Sequence, residues 1–475
     1  MQWPAAIPRL VVSLFVAVMI WRSPRALAQP SMQTILTNGP ISNRLNIVVL
    51  SEGYTSSQLA QFAVDATNAV NVLLSHSPYQ EYRSYFNAFA IKVASNRSGS
   101  SHAAYVTNDT YFNSIYDYGN YVITIPPDFA DANYSHGQGK VDALLLTFMP
   151  NCQLSVLLVN DPTDGGSDGF LKTAIASIGG LMAEQSMGQP GILTHETGHV
   201  LANLGDEYTD PYPGFPDTEE PNTTQQTNRT LIKWNAWIST NTPIPTPTTV
   251  GDGVVGLFQG AHYHTTGWYR PQLNCVMGSL GVPFCAVCSE ALVLSIYQRV
   301  RPVDGFSPAS TNLSVTKTQP VAFSLALLQP ATHNLNVQWF TNGVPQAGGT
   351  NLSFTLLPQS LPNGSNWVSA VVKDNTPLVR HDPTNLLSQT VTWGVNVNIP
   401  QLRLDSPVRL PGGKFAFRVA GNAPQGFSIW GATNLSSWVS LSTNSLVGGQ
   451  FWYTNSSTPT FPRRFFRAVT PPSSS

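Results

Sequence analysis

The chain has 475 residues, of which 42% are hydrophobic and 10% charged, so at ~150 residues per domain it holds about three folded units rather than one small core. Lys and Arg number 24 against 25 Asp and Glu, a net charge of -1, which leaves no basic surplus for a nucleic-acid backbone or an anionic membrane. With 36 Gly and 37 Pro, the composition is that of a turn-rich, β-rich exported protein.

At the N-terminus, Arg9 precedes the apolar run Leu10 to Trp21, and Ala26-Leu-Ala28 then supplies a small-x-small cleavage site. Residues 1–28 are read as a signal peptide cut after Ala28, because twelve apolar residues fall short of the ~20 needed to span a bilayer. No later run is long and apolar enough, so the mature chain is expected to be secreted or periplasmic/extracellular, with no membrane span, in an oxidising compartment.

Residues 29–302 alternate short apolar strands with helical stretches, an α/β (or α+β) pattern. Asn46-Ile-Val-Val-Leu50 and Leu154-Ser-Val-Leu-Leu-Val159 read as buried strands, and Ser57–Leu74 and Glu290–Val300 as amphipathic helices. Leu154–Val159 and the glycine loop after it are expected to form an edge on which an extended substrate pairs.

The segment that carries chemistry is Gln189-Pro-Gly-Ile-Leu-Thr-His195-Glu196-Thr-Gly-His199, continued by Val200-Leu-Ala-Asn-Leu-Gly205-Asp206-Glu207-Tyr208. Pro190 and Gly191 mark a helix start. At ~100° per residue Leu193, Val200 and Leu204 share one face, while His195 and His199 lie roughly opposite and stack one turn apart. Both imidazoles then reach one metal ion, with Glu196 beside them, which is the H-E-x-x-H arrangement of zinc peptidases. A catalytic zinc normally takes a third protein ligand. Asp206 is ~16 Å along an unbroken helix from His195, but a left-handed Gly205 would turn the chain back and bring its carboxylate to the ion. Glu207 is the alternative third ligand or a supporting residue, and His262 and His264 are remoter candidates, more readily read as surface or groove histidines.

Four cysteines permit three pairings. Cys275, Cys285 and Cys288 cluster in sequence, which suits either a zinc knuckle or a disulfide-closed loop. Oxidising surroundings and the lack of an evident fourth ligand favour a disulfide.

After Pro302 helical periodicity vanishes. Val321–Leu327, Asn334–Phe340 and Trp367–Val372 alternate as strands, and Trp339 resembles the core tryptophan of immunoglobulin-like modules. Residues 303–399 are expected to form an immunoglobulin-like sandwich and 400–475 a small all-β module. Both are read as passive spacers or as binders of surface carbohydrate.

Several ordered motifs resemble the bacterial IgA-peptidase family of zinc metallopeptidases, family sixty-four of the metallo class. They are Val48-Val-Leu-Ser-Glu-Gly-Tyr-Thr55, Val159-Asn-Asp161 with Gly165-Gly166, His195 to His199 with Gly205-Asp-Glu-Tyr208, and Lys233-Trp-Asn-Ala-Trp237. Gly267-Trp-Tyr-Arg-Pro271, Asn274-Cys-Val-Met277 and Phe284-Cys-Ala-Val-Cys288 follow. The likeness spans roughly Gln33 to Pro302. It implies a metzincin-like fold with Met277 in a tight turn beneath the metal, and it supports Asp206 as third ligand. Position 202 is alanine where longer metzincin motifs carry glycine, and Gly205 stands where they carry a third histidine.

The expected function is hydrolysis of peptide bonds in protein or glycoprotein substrates, with zinc as cofactor and Glu196 as general base. Tyr269 or Arg270 would stabilise the oxyanion. The alternatives are an adhesin with a structural or vestigial zinc site, and a zinc amidase or esterase acting on cell-wall substrates.

Overall fold

A computed structural model of the chain describes residues 29–125, 137–168, 172–398, 402–421, 426–456 and 463–470. The export segment, with its cleavage site at Ala28, lies outside the described residues. The chain divides into two compact units: Met1–Ile35, Ile47–Val72 and Ala88–Val200 form the first, and Leu36–Asn46, Leu73–Asn87 and Leu201–Ser475 the second.

In chain order the first unit's elements begin with β1 (Ser31–Leu36), β2 (Leu45–Glu52), α1 (Leu59–Leu73) and β3 (Phe86–Lys92). Three two-residue strands follow, β4 (Ser101–His102), β5 (Ile115–Tyr116) and β6 (Ile123–Thr124), then α2 (Gln138–Phe148) and β7 (Leu154–Val159). β8 (Gly166–Ser167), β9 (Ala174–Ser177), α3 (Ile178–Met187) and α4 (Ile192–Ala202) complete the series. Six strands form one sheet in the order β1-β3-β2-β7-β9-β8. β2 and β7 pair in parallel, Ile47 opposite Leu154, and every residue of both is buried, which is why they read as unbroken apolar runs rather than alternating ones. Val48, Leu50, Ile91, Leu157 and Ile175 pack with Phe112, Tyr116 and Val141 into one core.

β7 is an interior strand. It is paired with β2 on one side and with β9 on the other, so the expectation that it offers a free edge fails: its backbone donors and acceptors are spent inside the sheet. On that side the edge is β8, from the glycine loop, and Val122 already bridges to Gly166 along it.

The motif acids Glu52 and Asp161 have local duties. Glu52 accepts from the Phe112 and Ser114 amides at 3.0 and 2.8 Å, and Asp161 from Ser100 N at 3.2 Å and Thr163 N at 3.0 Å, with His102 Nε2 3.0 Å away. Each holds a loop whose amides have no strand to bond. Gly53 adopts φ +70°, and a Cβ there would lie 2.2 Å from the Gly99 carbonyl, so that turn demands glycine.

The second unit contains a hairpin, β10 (Phe258–Ala261) and β11 (His264–Arg270), then α5 (Ala286–Arg299). Helix α5 starts four residues before the expected Glu290, because Cys285 serves as its N-cap, its sulfur accepting from Cys288 N. β12 (Val303–Ser307), β13 (Asn312–Thr316), β14 (Val321–Leu327), β15 (Asn336–Thr341), β16 (Val344–Pro345), β17 (Ser353–Leu356), β18 (Gly364–Lys373) and β19 (Ser388–Asn398) form two sheets, β12-β14-β17 and β13-β19-β18-β15-β16. Their shared core holds Phe323, Trp339 and Trp393, and both indoles satisfy their N–H on backbone carbonyls, of Asn351 and Pro308, at 2.8 Å.

The last six strands are β20 (Leu402–Arg409), β21 (Phe415–Gly421), β22 (Phe427–Ala432), β23 (Val439–Asn444), β24 (Gln450–Asn455) and β25 (Phe465–Val469). They build two three-stranded sheets around Phe417, Val419, Phe427 and Ile429. The all-β expectation for residues beyond Pro302 therefore matches the strands, and the chain as a whole is mixed α/β. Within the same unit α5 is tied to the β region by the buried Asp374 carboxylate, which accepts from Tyr82 and Tyr297 hydroxyls at 2.8 and 2.6 Å, with His333 Nε2 2.8 Å away. Among the described residues no helix is long and apolar enough to cross a membrane.

Candidate active site

Helix α4 begins as Pro190-Gly191 predicts, and its first amides are bound by a side chain from the preceding helix. Glu184 of α3, fully buried, accepts from Leu193 N at 3.0 Å and Thr194 N at 3.4 Å with Oε2, and from the Thr194 hydroxyl with Oε1. A carboxylate there satisfies orphan N–H donors and lies at the positive end of the helix dipole. Gly191 is required for this approach, since a Cβ would come within 2.7 Å of Glu184 Cβ. Sequence reading missed Glu184, because an acid eight residues upstream of the helix start carries no local capping signature.

The helix differs from the expected amphipathic rod. It is buried nearly all round: Leu193 packs inside, Val200 is half-buried, and the face with His195, Glu196 and His199 is also enclosed, at 3%, 5% and 5% exposure. Leu204 falls past the helix end at Ala202. The two imidazoles meet edge to face with Nε2 atoms 3.0 Å apart, and the Glu196 carboxylate belongs to the same cluster, all three ligand atoms lying within 4.8 Å of one another. Two nitrogens bound to one tetrahedral ion at ~2.0–2.1 Å stand ~3.3–3.4 Å apart, so this donor set fits a divalent metal. Gly166 of β8 lets the helix come close. A Cβ there would lie 2.6 Å from the Ile175 carbonyl and from Ile192 Cγ1, and 3.3 Å from Glu196 Cγ.

The helix terminates by a different residue from the one expected. Asn203, at φ 52°, makes the left-handed turn, and Gly205 is not in that region. Asparagine tolerates this conformation better than other non-glycine residues. Gly205 is small for another reason: its Cβ would lie 2.5 Å from Glu220 Oε2, and Asn222 brackets it through Oδ1 to Gly205 N at 2.7 Å and Nδ2 to Gly205 O at 2.8 Å.

In the second unit, Asp206 takes a hydrogen bond from the Tyr263 hydroxyl on Oδ2, and its carbonyl accepts from His262 N at 2.9 Å. The phenol that meets this acid, Tyr263, was not singled out in the sequence. Tyr269 is half-buried on β11, its backbone exchanging bonds with Thr224 at 2.9 and 3.1 Å. His262 and Tyr263 form the two-residue turn of the β10–β11 hairpin with φ of 51° and 60°, positions usually filled by Asn and Gly. Non-glycine residues held at positive φ store strain that the surroundings must sustain, a hallmark of functional loops.

His262 is not the surface histidine expected. It is fully buried, stacked on Trp268 at 3.8 Å, with Nδ1 3.1 Å from Glu220 Oε2 and Nε2 2.9 Å from the Pro216 carbonyl; His264 is exposed. Arg270 is committed to carbonyls, donating to Gly260 O and, at 3.2 Å, to Glu207 O, which argues against an oxyanion role. Met277 sits fully buried in a turn closed by Gly278 N to Cys275 O at 2.9 Å, as the tight-turn expectation requires, and its carbonyl accepts from Glu207 N at 2.8 Å.

Among the described residues there is no disulfide, and all four cysteines are free. Cys275, Cys285 and Cys288 gather instead around the Glu207 carboxylate. The alternative third ligand of the imidazole pair is therefore engaged with sulfur. Burial raises the Glu207 carboxyl and the Cys275 and Cys288 thiols well above their ordinary values, while burial of Cys285 is outweighed by hydrogen bonds from the other two thiols, which pull it down.

The family model for IgA peptidase M64 matches residues 34–253 and 248–296, more than half of the chain. The chain belongs to the IgA peptidase M64 family. Membership makes it a member of a peptidase family, and the matched span contains the imidazole pair, Asp206 and all four cysteines. No curated protein gives a significant match. The apo structure of Bacteroides uniformis β-glucuronidase 3 is 11% identical with a TM-score of 0.14, covering 43% of this chain, and the chain spans only 28% of that protein. The chaperone-tip adhesin complex of CFA/I fimbriae is 8% identical with a TM-score of 0.14, covering 34% of this chain and 91% of the other.

Proposed function

We propose that the protein is an exported zinc-dependent endopeptidase, its catalytic part within residues 29–302, followed by an immunoglobulin-like sandwich over 303–399 and a small β module over 400–475. The observation that carries the reading is the pair of imidazole Nε2 atoms 3.0 Å apart beside the Glu196 carboxylate, in a chain of a peptidase family. His195 and His199 would hold the ion. Asp206 is proposed as the third ligand on the family resemblance, and the Tyr263 hydroxyl donates to its carboxylate.

Zinc held by this donor set would supply Lewis acidity toward the scissile carbonyl and the attacking water. Glu196 would accept a proton from the attacking water and pass it to the departing amine. Glu184 keeps α4 in register so that Glu196 and the imidazoles stay on one side. The Tyr269 phenol is proposed as an oxyanion donor, to be tested by Tyr269→Phe.

The substrate class is a protein or glycoprotein. The experiment is digestion of a diverse peptide library by the purified chain, read by mass spectrometry, with and without chelator and with Glu196→Gln. Cleavage abolished by chelator and by the substitution supports the reading; cleavage that persists in both rejects it.

A further inference from the structure

A second group of metal-ligating side chains stands apart from the imidazole pair in sequence. Glu207, Cys275, Cys285 and Cys288 present one carboxylate oxygen and three sulfurs, all within 4.8 Å of one another. We propose that these four residues bind one thiophilic divalent cation, zinc foremost, as a closed structural site additional to the catalytic one.

The geometry argues for it first. The Sγ atoms of Cys275 and Cys288 are 3.6 Å apart, and Cys288 Sγ lies 3.9 Å from Glu207 Oε1. Thiolates bound to zinc at ~2.3 Å on two corners of a tetrahedron are ~3.8 Å apart, whereas a disulfide joins them at ~2.05 Å. A disulfide would also use two sulfurs and strand the third thiol and the carboxylate together in a dry interior. One ion uses all four.

The surroundings fit a metal–thiolate centre too. All four side chains are buried, the most exposed at 4%. The Cys285 and Cys288 amides point at sulfur, Cys285 N to Cys275 Sγ at 3.3 Å and Cys288 N to Cys285 Sγ at 3.4 Å, and the cysteines stand at the positive end of α5. Asn222 Nδ2 donates to Glu207 Oε1 at 3.0 Å and so orients the carboxylate. Glu207 Oε2 is buried and makes no hydrogen bond among the described residues, the kind of orphaned lone pair that a cation satisfies. Three thiolates select zinc or another soft ion over magnesium or calcium, and four protein donors leave no open position for substrate.

The site would staple three stretches of the second unit: the strand of chain after α4, the Met277 turn and the start of α5. Glu207 adjoins Asp206, so the ion would also set the backbone that carries the proposed third catalytic ligand. The proposal does not depend on the catalytic reading.

The test is cobalt substitution of the full chain kept under reductant, followed by metal analysis and absorption spectroscopy. The unmodified protein should hold about two equivalents of metal and show a thiolate-to-cobalt charge-transfer band. His199→Ala should lose about one equivalent and keep the band, whereas Cys288→Ser and Glu207→Ala should weaken or abolish it. Thiol titration of the unmodified protein gives a reading free of folding defects: three cysteines protected with metal bound and reactive after chelation. Absence of the charge-transfer band, thiols equally reactive with and without chelator, or a disulfide within the cluster in the native protein would overturn the site. A lost catalytic metal with an intact band would instead sink only the peptidase reading.

Discussion

The two clusters of this protein reach similar chemistry by opposite routes. His195, Glu196 and His199 come from five consecutive residues of one helix, so helical periodicity alone brings their ligand atoms together. Glu207, Cys275, Cys285 and Cys288 come from three stretches spread over 82 positions, and nothing local makes the carboxylate meet the sulfurs. The helical cluster needs outside help only for its setting: Glu184 at its amino end and Gly166 against Glu196. The sulfur cluster is itself the place where separate segments are joined. One is a cluster that a single helix presents; the other gathers side chains from separate stretches, which the proposed ion would join.

The largest effect expected from breaking this contrast is kinetic. Glu196→Gln should lower kcat by ~10²–10⁴-fold, the usual contribution of a general base, while metal content stays unchanged. A loss below tenfold, measured on the best library peptide, would remove Glu196 from the chemistry.

Next comes stability. Thiolate metal at a thousandfold excess over its Kd should stabilise the chain by ~4 kcal/mol, since it binds the folded state alone. Thermal melts should therefore fall much further when Cys288→Ser abolishes the sulfur site than when His199→Ala empties the helical one. Equal shifts would erase the distinction between presenting and stapling.

Glu184→Ala sharpens the helical side. It leaves the Leu193 and Thr194 amides and the Thr194 hydroxyl without their acceptor, at a cost of ~1–3 kcal/mol in denaturant midpoint experiments. The thiolate-to-cobalt band should not change.

The smallest effect is a control outside both clusters. Burial of Asp304 opposes its ionisation, but hydrogen bonds from Arg44 and Asn43 outweigh it and hold the carboxyl below its ordinary value. A lowered folded-state pKa means that the stabilisation is present above the unfolded value of ~3.9 and is lost as pH falls through the lower folded one. Asp304→Asn should flatten that acid limb without moving activity at neutral pH. An unaltered acid limb would show that the pair contributes nothing.

What could be read from residues in order is the part governed by short-range repetition. The runs Asn46–Leu50 and Leu154–Val159 announce strands buried on both faces, and the matching strands are Leu45–Glu52 and Leu154–Val159. Val321–Leu327 is a strand over the same residues. Where sequence reading erred, the cause was a residue in an unusual office: Cys285 capping α5, His262 and Tyr263 taking a hairpin turn at positive φ, and Asn203 rather than Gly205 ending α4. Propensity ranks such choices low, and only the packing around them makes them acceptable.

The sequence by itself determined the H-E-x-x-H helix, the alternation of strand and helix before Pro302, and the all-β character after it, because each depends on spacings of two to four residues. Tertiary structure alone decided that β7 lies inside the sheet, that the Tyr263 hydroxyl meets Asp206, and that Glu207 turns to three cysteines. Those outcomes depend on which distant backbones come together, and no periodicity encodes that. The fourth partner missing from the cysteine motif lay 68 residues upstream of Cys275, beside the residue already chosen for the other metal.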